Sequence, residues 1–225
     1  MSEETFPGAA LRPLRLQIGG QTIAGFESPG TGRPILLVHG NSSSSRIWQK
    51  QLQGPLGAKY RLIAIDLPGH GASSPPPNPE QDYSGPGYAG CIAAVARELD
   101  LKDAVVLGWS LGGHAVLNAA ASLPMAAGLM IFGTPPISKT PDCLGAAAQA
   151  GRFEDEVEIV RHLKIPLAIV QGGEEQIVDL GYLQRLPAPT LWRGQVQVIE
   201  GAGHATQWEK AEAFDKIVDE FASSL

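Results

Sequence analysis

The chain lacks most of what would mark a secreted, metal-built, nucleic-acid-binding or membrane-spanning protein. It has two cysteines, Cys91 and Cys143, far apart and in no metal-ligand spacing. That excludes a disulfide framework, and both read as small buried hydrophobes of a reducing compartment. The 17 lysines and arginines are scattered and outnumbered by 23 acids, for a net charge of −6. A nucleic acid or an anionic membrane would need a basic patch, so neither is expected as a partner. No apolar run approaches the length of a bilayer span. The opening MSEETFPGAA carries two acids and neither the basic start nor the apolar stretch of a secretory signal. The expectation is a cytoplasmic protein whose 225 residues form one domain, 1–225, large enough to bury a core without staples.

What is present is alternation. LRLQI (14–18) and TIAGFE (22–27) flank Gly19-Gly20 and read as a β-hairpin. PILLVHG (34–40) is continuously apolar, the mark of a strand covered on both faces, and the signature returns at 61–66, 104–108, 128–133, 166–172 and 196–201. Helical patterns fall between them at about 46–53, 87–99, 111–122, 144–163, 179–185 and 208–223. In the last, Ala211, Phe214, Ile217, Val218 and Phe221 share one stripe, which reads as core. The Pro- and Ser-rich stretch 73–87 reads as a surface loop. Together these imply an α/β fold: a mostly parallel sheet of about eight strands, opened by an antiparallel hairpin and covered by helices on both faces. Ligands of such sheets bind beyond the carboxyl ends of the strands.

The chemistry-bearing residues fall at those ends. GWSLGGH (108–114) follows the apolar run DAVVL and precedes a helix, so Ser110 occupies a G-x-S-x-G nucleophile elbow. Small residues at the ±2 positions let the chain turn sharply and push the hydroxyl above the sheet. A hydroxyl is scarcely ionised at neutral pH and needs a base. His39 and His70 precede the serine, His114 lies one helical turn away and should point outward, and His162 falls in a charged helical stretch. His204, in GAGH after the last strand, remains as the base. The acid should come from GGEEQIVD after PLAIVQG, where Glu174, Glu175 and Asp179 compete. Asp179 suits a helix N-cap. Of the two glutamates, Glu175 is preferred and Glu174 reads as its solvated neighbour. Asn41, in HGN after the third strand, offers one oxyanion-hole amide and Leu111 the other.

HGN, DLPGHGAS (66–73), GWSLGGH, the late acid and GAGH, in that order, resemble the α/β-hydrolase superfamily. HGNSSSS, VVLGWSLGGH, GLMIFGTPP and the IPLAIVQGGEE run look more closely like its metal-independent N-acyl-homoserine lactonases. That resemblance implies a Ser–His–Glu triad, here Ser110, His204 and Glu175, and no metal or organic cofactor. Relatives usually insert a helical cap before the acid strand. Here residues 137–164 leave room for a connecting helix and little more, so acyl selectivity is the property least defined. The implied function is hydrolysis of a small-molecule carboxylic ester or lactone through an acyl-enzyme, N-acyl-homoserine lactones included. A short-chain carboxylesterase is the nearest rival, and a weakly catalytic ligand receptor a more distant one. The serine at the elbow counts against dehalogenases and epoxide hydrolases, which use aspartate there. Oligomeric state is not encoded legibly.

Overall fold

In the computed structural model, which describes residues 10–138 and 152–225, eight strands form one sheet. They are β1 (Arg12–Ile18), β2 (Gln21–Glu27), β3 (Gly32–Val38), β4 (Tyr60–Ile65), β5 (Ala104–Trp109), β6 (Ala126–Phe132), β7 (Leu167–Gly172) and β8 (Gln197–Ile199). Their spatial order is β1-β2-β4-β3-β5-β6-β7-β8. β1 pairs with β2, and β2 with β4, antiparallel; every later pairing is parallel. The hairpin closes on Gly19 and Gly20, both at positive φ, the two-residue turn whose twist matches its strands. From β3 the chain steps outward to β4, then returns past β3 to β5. That reversal between β3 and β5 creates the crevice in which ligands of open α/β sheets bind.

Alternate residues of each inner strand feed opposite faces. Leu36, Val38, Val106, Leu129, Ile131 and Ile169 belong to one core, whereas Ile35, Leu37, Leu107, Met130, Phe132 and Val170 belong to the other. This accounts for the unbroken apolar runs. The first face is covered by α4 (Gly85–Glu98) and α5 (Leu111–Ala119). The second is covered by the segment from Ser45 through α1 (Gln49–Gln53) and α2 (Pro55–Lys59), and by the last helix, Ala211–Ser223. Trp48, Phe132 and Phe214 cluster there with their rings tilted or edge-on, the Phe132 and Phe214 centroids 4.8 Å apart.

Several helices differ from expectation. The stretch 46–53 starts as a 3-10 turn (Ser45–Trp48) before α1. Helix α2, and α3 (Pro79–Asp82) inside the expected 73–87 loop, each begin on a proline and are too short to show a period. Ser84 caps α4 by accepting from the Gly87 amide at 3.1 Å, so the end of that loop is already helix. Of the helix expected over 144–163, the described part is α6 (Glu156–His162), capped by Asp155; residues 144–151, and Cys143, lie outside the described residues. Helix α7 (Leu180–Gln184) is capped by Asp179 as expected. The helix expected over 208–223 is two, α8 (Thr206–Glu209) and α9 (Ala211–Ser223), because Lys210 (φ −132°, ψ 56°) leaves the helical region. Among the described residues no helix is long and apolar enough to cross a membrane.

Candidate active site

The carboxyl ends of the parallel strands β3 to β8 lie along one edge of the sheet. Ser110 follows β5 with φ 53° and ψ −118°, a conformation that costs a non-glycine residue about 1–3 kcal/mol and persists only where its surroundings enforce it. The enforcement is visible. Ser110 N donates to Phe132 O on β6 at 2.9 Å, and α5 begins immediately afterwards, so the strand must reverse within one residue. Side chains are excluded on both sides: a Cβ at Gly108 would lie 2.3 Å from Gly112 O, and one at Gly112 would lie 2.4 Å from Val38 O. The glycine spacing is thus a steric requirement of the turn.

The loop after β3 crosses directly above this bend. Gly40 passes so close that a Cβ there would sit 3.1 Å from Ser110 Cβ and 2.9 Å from the Trp109 ring. Asn41 follows, exposed at the rim. Among the described residues no acceptor takes the Asn41 or the Leu111 amide hydrogen, and the first N–H groups of α5 carry the positive end of its dipole. His39 braces the loop from below. Its Nδ1 lies 2.7 Å from Gly40 O, and its Nε2 accepts from the Leu67 amide at 3.0 Å. Burial lowers its pKa to about 4, so it is neutral at pH 7, as that pattern of one donor and one acceptor nitrogen requires. Asp66, on the next loop, accepts from the Ser45 amide at 2.6 Å and the Ala72 amide at 2.8 Å, tying the two loops together.

On the other side, the loops after β7 and β8 are zipped by backbone bonds. Gly173 N donates to Ile199 O at 2.9 Å and Glu174 N to Ala202 O at 2.8 Å. This zipper carries Glu175 to His204. His204 Nδ1 lies 2.6 Å from Glu175 Oε2, and Glu175 Oε1 accepts from the Ile177 amide at 2.7 Å. The Glu175 side chain is only 2% exposed and the His204 side chain 25%, so the carboxylate is sheltered while the imidazole is partly open to solvent. With Nδ1–H donated to the carboxylate, Nε2 is left as the basic nitrogen. Glu174, its backbone held in the zipper, is exposed.

His204 sits over Gly133, where a Cβ would lie 2.9 Å from its Cε1. Gly133 directly follows Phe132, the residue whose carbonyl holds Ser110 N. Serine and histidine therefore share the same edge. Among the described residues no hydrogen bond joins Ser110 Oγ to the imidazole; such contacts commonly tighten only with substrate bound. Two other histidines are engaged with carboxylate-bearing residues: His114 Nδ1 is 2.7 Å from Glu156 Oε2, and His162 Nδ1 is 2.9 Å from Glu158 O.

Two residues with no sequence signal complete the edge. Trp109 Nε1 donates to His204 O at 2.8 Å. The Thr134 hydroxyl lies 3.0 Å from both Ser110 O and Phe132 O. Among the described residues no three His, Cys, Asp or Glu side chains converge as a metal site.

Known proteins share this fold. The model of the alpha/beta hydrolase family matches residues 35–167. The structure of the N-acyl homoserine lactonase AidH complexed with N-butanoyl homoserine superposes with a TM-score of 0.86 at 33% identity, over 93% of this chain and 96% of that one. The esterase RhEst1 from Rhodococcus sp. ECU1013 gives 0.76 at 25% identity, over 96% and 100%. The Homo sapiens protein named "Putative protein-lysine deacylase ABHD14B" is 31% identical over 93% of this chain and 94% of its own length. The chain spans 30% and 62% of the length of two further curated relatives. The chain belongs to the alpha/beta hydrolase family.

Proposed function

We propose that the chain is a serine hydrolase that cleaves carboxylic esters or lactones through an acyl-enzyme. The observation that carries this reading is the strained Ser110 bend on the same strand edge as an imidazole whose Nδ1 is held by the sheltered Glu175 carboxylate. Ser110 Oγ attacks the carbonyl carbon while His204 Nε2 takes its proton. Charge accumulates on the carbonyl oxygen, which the Asn41 and Leu111 amides receive; one such donor is worth about 3 kcal/mol in the transition state. The carbon–oxygen bond to the leaving alkoxide then breaks and His204 returns the proton to it. In a lactone this alcohol stays tethered to the acyl group. A water molecule, deprotonated by the same imidazole, attacks the acyl-enzyme and regenerates Ser110. Glu175 fixes the tautomer and stabilises the imidazolium formed in each half.

Similarity to a lactonase and to an esterase supports a substrate with a carboxylic ester bond and favours the lactone, since the lactonase is the more similar of the two. The test is multiple turnover of 4-nitrophenyl acetate by wild type and by Ser110→Ala. The variant is expected to lose a factor of about 10⁴ or more in kcat with its circular dichroism unchanged. Unchanged turnover in the variant refutes the reading. Comparing an N-acyl homoserine lactone with a linear ester of equal acyl length then separates the two substrate classes.

A further inference from the structure

The segment that carries His204 has no regular structure of its own: residues 201–205 lie between β8 and α8. Its backbone is nevertheless held at both residues flanking the histidine. Glu209, the last residue of α8, accepts from the Gly203 amide through Oε2 at 2.7 Å and from the Ala205 amide through Oε1 at 2.9 Å. Among the described residues no backbone carbonyl takes either hydrogen. Ala205 is the N-cap of α8 and has no side-chain oxygen with which to cap it; the carboxylate reaches back instead, as the acidic residue of a capping box does. Gly203 fits the same arrangement, since a Cβ there would press to 3.2 Å of Glu209 Oε2.

We propose that Glu209 is a positioning residue for His204: its carboxylate clamps the N–H groups on either side of the histidine and holds the imidazole in line between Glu175 and the elbow. This rests on the reading of His204 as the base. The clamp opposes the bond from Trp109 Nε1 to His204 O, so the His204 backbone is held from two directions while Glu175 holds the ring. Both clamp bonds are charge-assisted and therefore stronger than neutral ones. Freed of them, the loop is free to shift by an ångström, a displacement that costs about 100-fold in rate when it falls on a reacting group.

The test compares Glu209→Leu, Glu209→Gln, His204→Asn and the surface control Glu212→Gln, with 4-nitrophenyl acetate as substrate. Glu209→Leu is expected to lower kcat about 30–100-fold with KM changed less than about twofold. Glu209→Gln keeps one acceptor oxygen and should fall between Glu209→Leu and wild type; Glu212→Gln should match wild type. Amide hydrogen exchange at Gly203 and Ala205 is expected to accelerate in both Glu209 variants, and Glu209→Leu added to His204→Asn should cause no further loss. Wild-type kcat in Glu209→Leu, or losses that multiply in the double variant, would overturn the proposal. If His204→Asn is inactive while Glu209→Leu is active, the positioning role alone falls. If His204→Asn keeps full activity, the base assignment falls and the proposal with it. Should Glu209→Leu fail to fold, Glu209→Gln carries the same readouts, and unchanged kcat and amide exchange in it overturn the clamp.

Discussion

Asp215 offers a test of the packing beneath the His204 loop that is independent of any substrate. It lies in α9, where Gln51 Nε2 donates to its Oδ1 at 2.9 Å and to Gln207 O at 2.9 Å. Burial is the main cause that lifts its carboxyl from 3.8 to about 6; the Gln51 bond works against the rise and nearby Glu212 adds to it. Between those two values the unfolded chain has released the proton and the folded chain still holds it. Folding therefore takes up a proton, and the contribution to stability is full below pH 3.8 and lost as pH rises through 6. At 1.36 kcal/mol per pH unit the loss is about 3 kcal/mol. Asp215→Asn keeps the Oδ1 acceptor and removes the charge, so relative to wild type it should gain about 3 kcal/mol between pH 4 and pH 8. His39 shifts the opposite way, from 6.5 to about 4, and its contribution is lost as pH falls. Because it is common to both proteins, it cancels in their difference. Urea unfolding of the pair at several pH values, at fixed ionic strength, measures that difference. A difference that does not change with pH would refute the assignment of a buried, proton-holding carboxyl to this position.

Two further outcomes follow from the site and its surroundings. Glu175→Gln should lower kcat by about 10²–10⁴, because the amide cannot stabilise the imidazolium or enforce its tautomer. Glu174→Gln, at an exposed position, should stay within about twofold of wild type, and steady-state kinetics showing the reverse ranking would transfer the role. The fully buried Glu156 accepts from His114 Nδ1 at 2.7 Å, Asn118 Nδ2 at 2.8 Å and Ile137 N at 2.9 Å. Glu156→Ala removes an acceptor shared by three donors and should cost about 3–5 kcal/mol, lowering the melting temperature by roughly 10 °C; a loss below 1 kcal/mol in calorimetry or urea titration would contradict this account.

The strands were legible because their burial is two-sided. Ile35, Leu36, Leu37 and Val38 feed alternate cores, so no polar residue interrupts the run and the period disappears into a solid apolar block. Helices of four or five residues were not legible: Pro55–Lys59 and Pro79–Asp82 are too short for any face to repeat. The long terminal pattern concealed its break at Lys210, since the apolar stripe of α9 begins only after it and the preceding turn belongs to the histidine loop.

Within the site, legibility follows how local the constraint is. Ser110 declares itself because the contact that forbids a side chain at Gly108 is with Gly112, four residues away. Such a clash must leave its mark in one short motif. Glu175 and Glu174, by contrast, are equal as letters. What separates them is the pairing of Gly173 and Glu174 with Ile199 and Ala202 through main-chain atoms, which any residues could supply. The same holds for Trp109, whose indole reaches a carbonyl 95 residues later, and for His114 and Glu156, which meet across 42. A bend carries its own steric signature, whereas the meeting of three loops is carried by backbone hydrogen bonds that place no demand on side-chain identity. Candidate reacting groups can therefore be read from motifs, and the residues that hold them in place only from the folded edge where β5, β6, β7 and β8 end together.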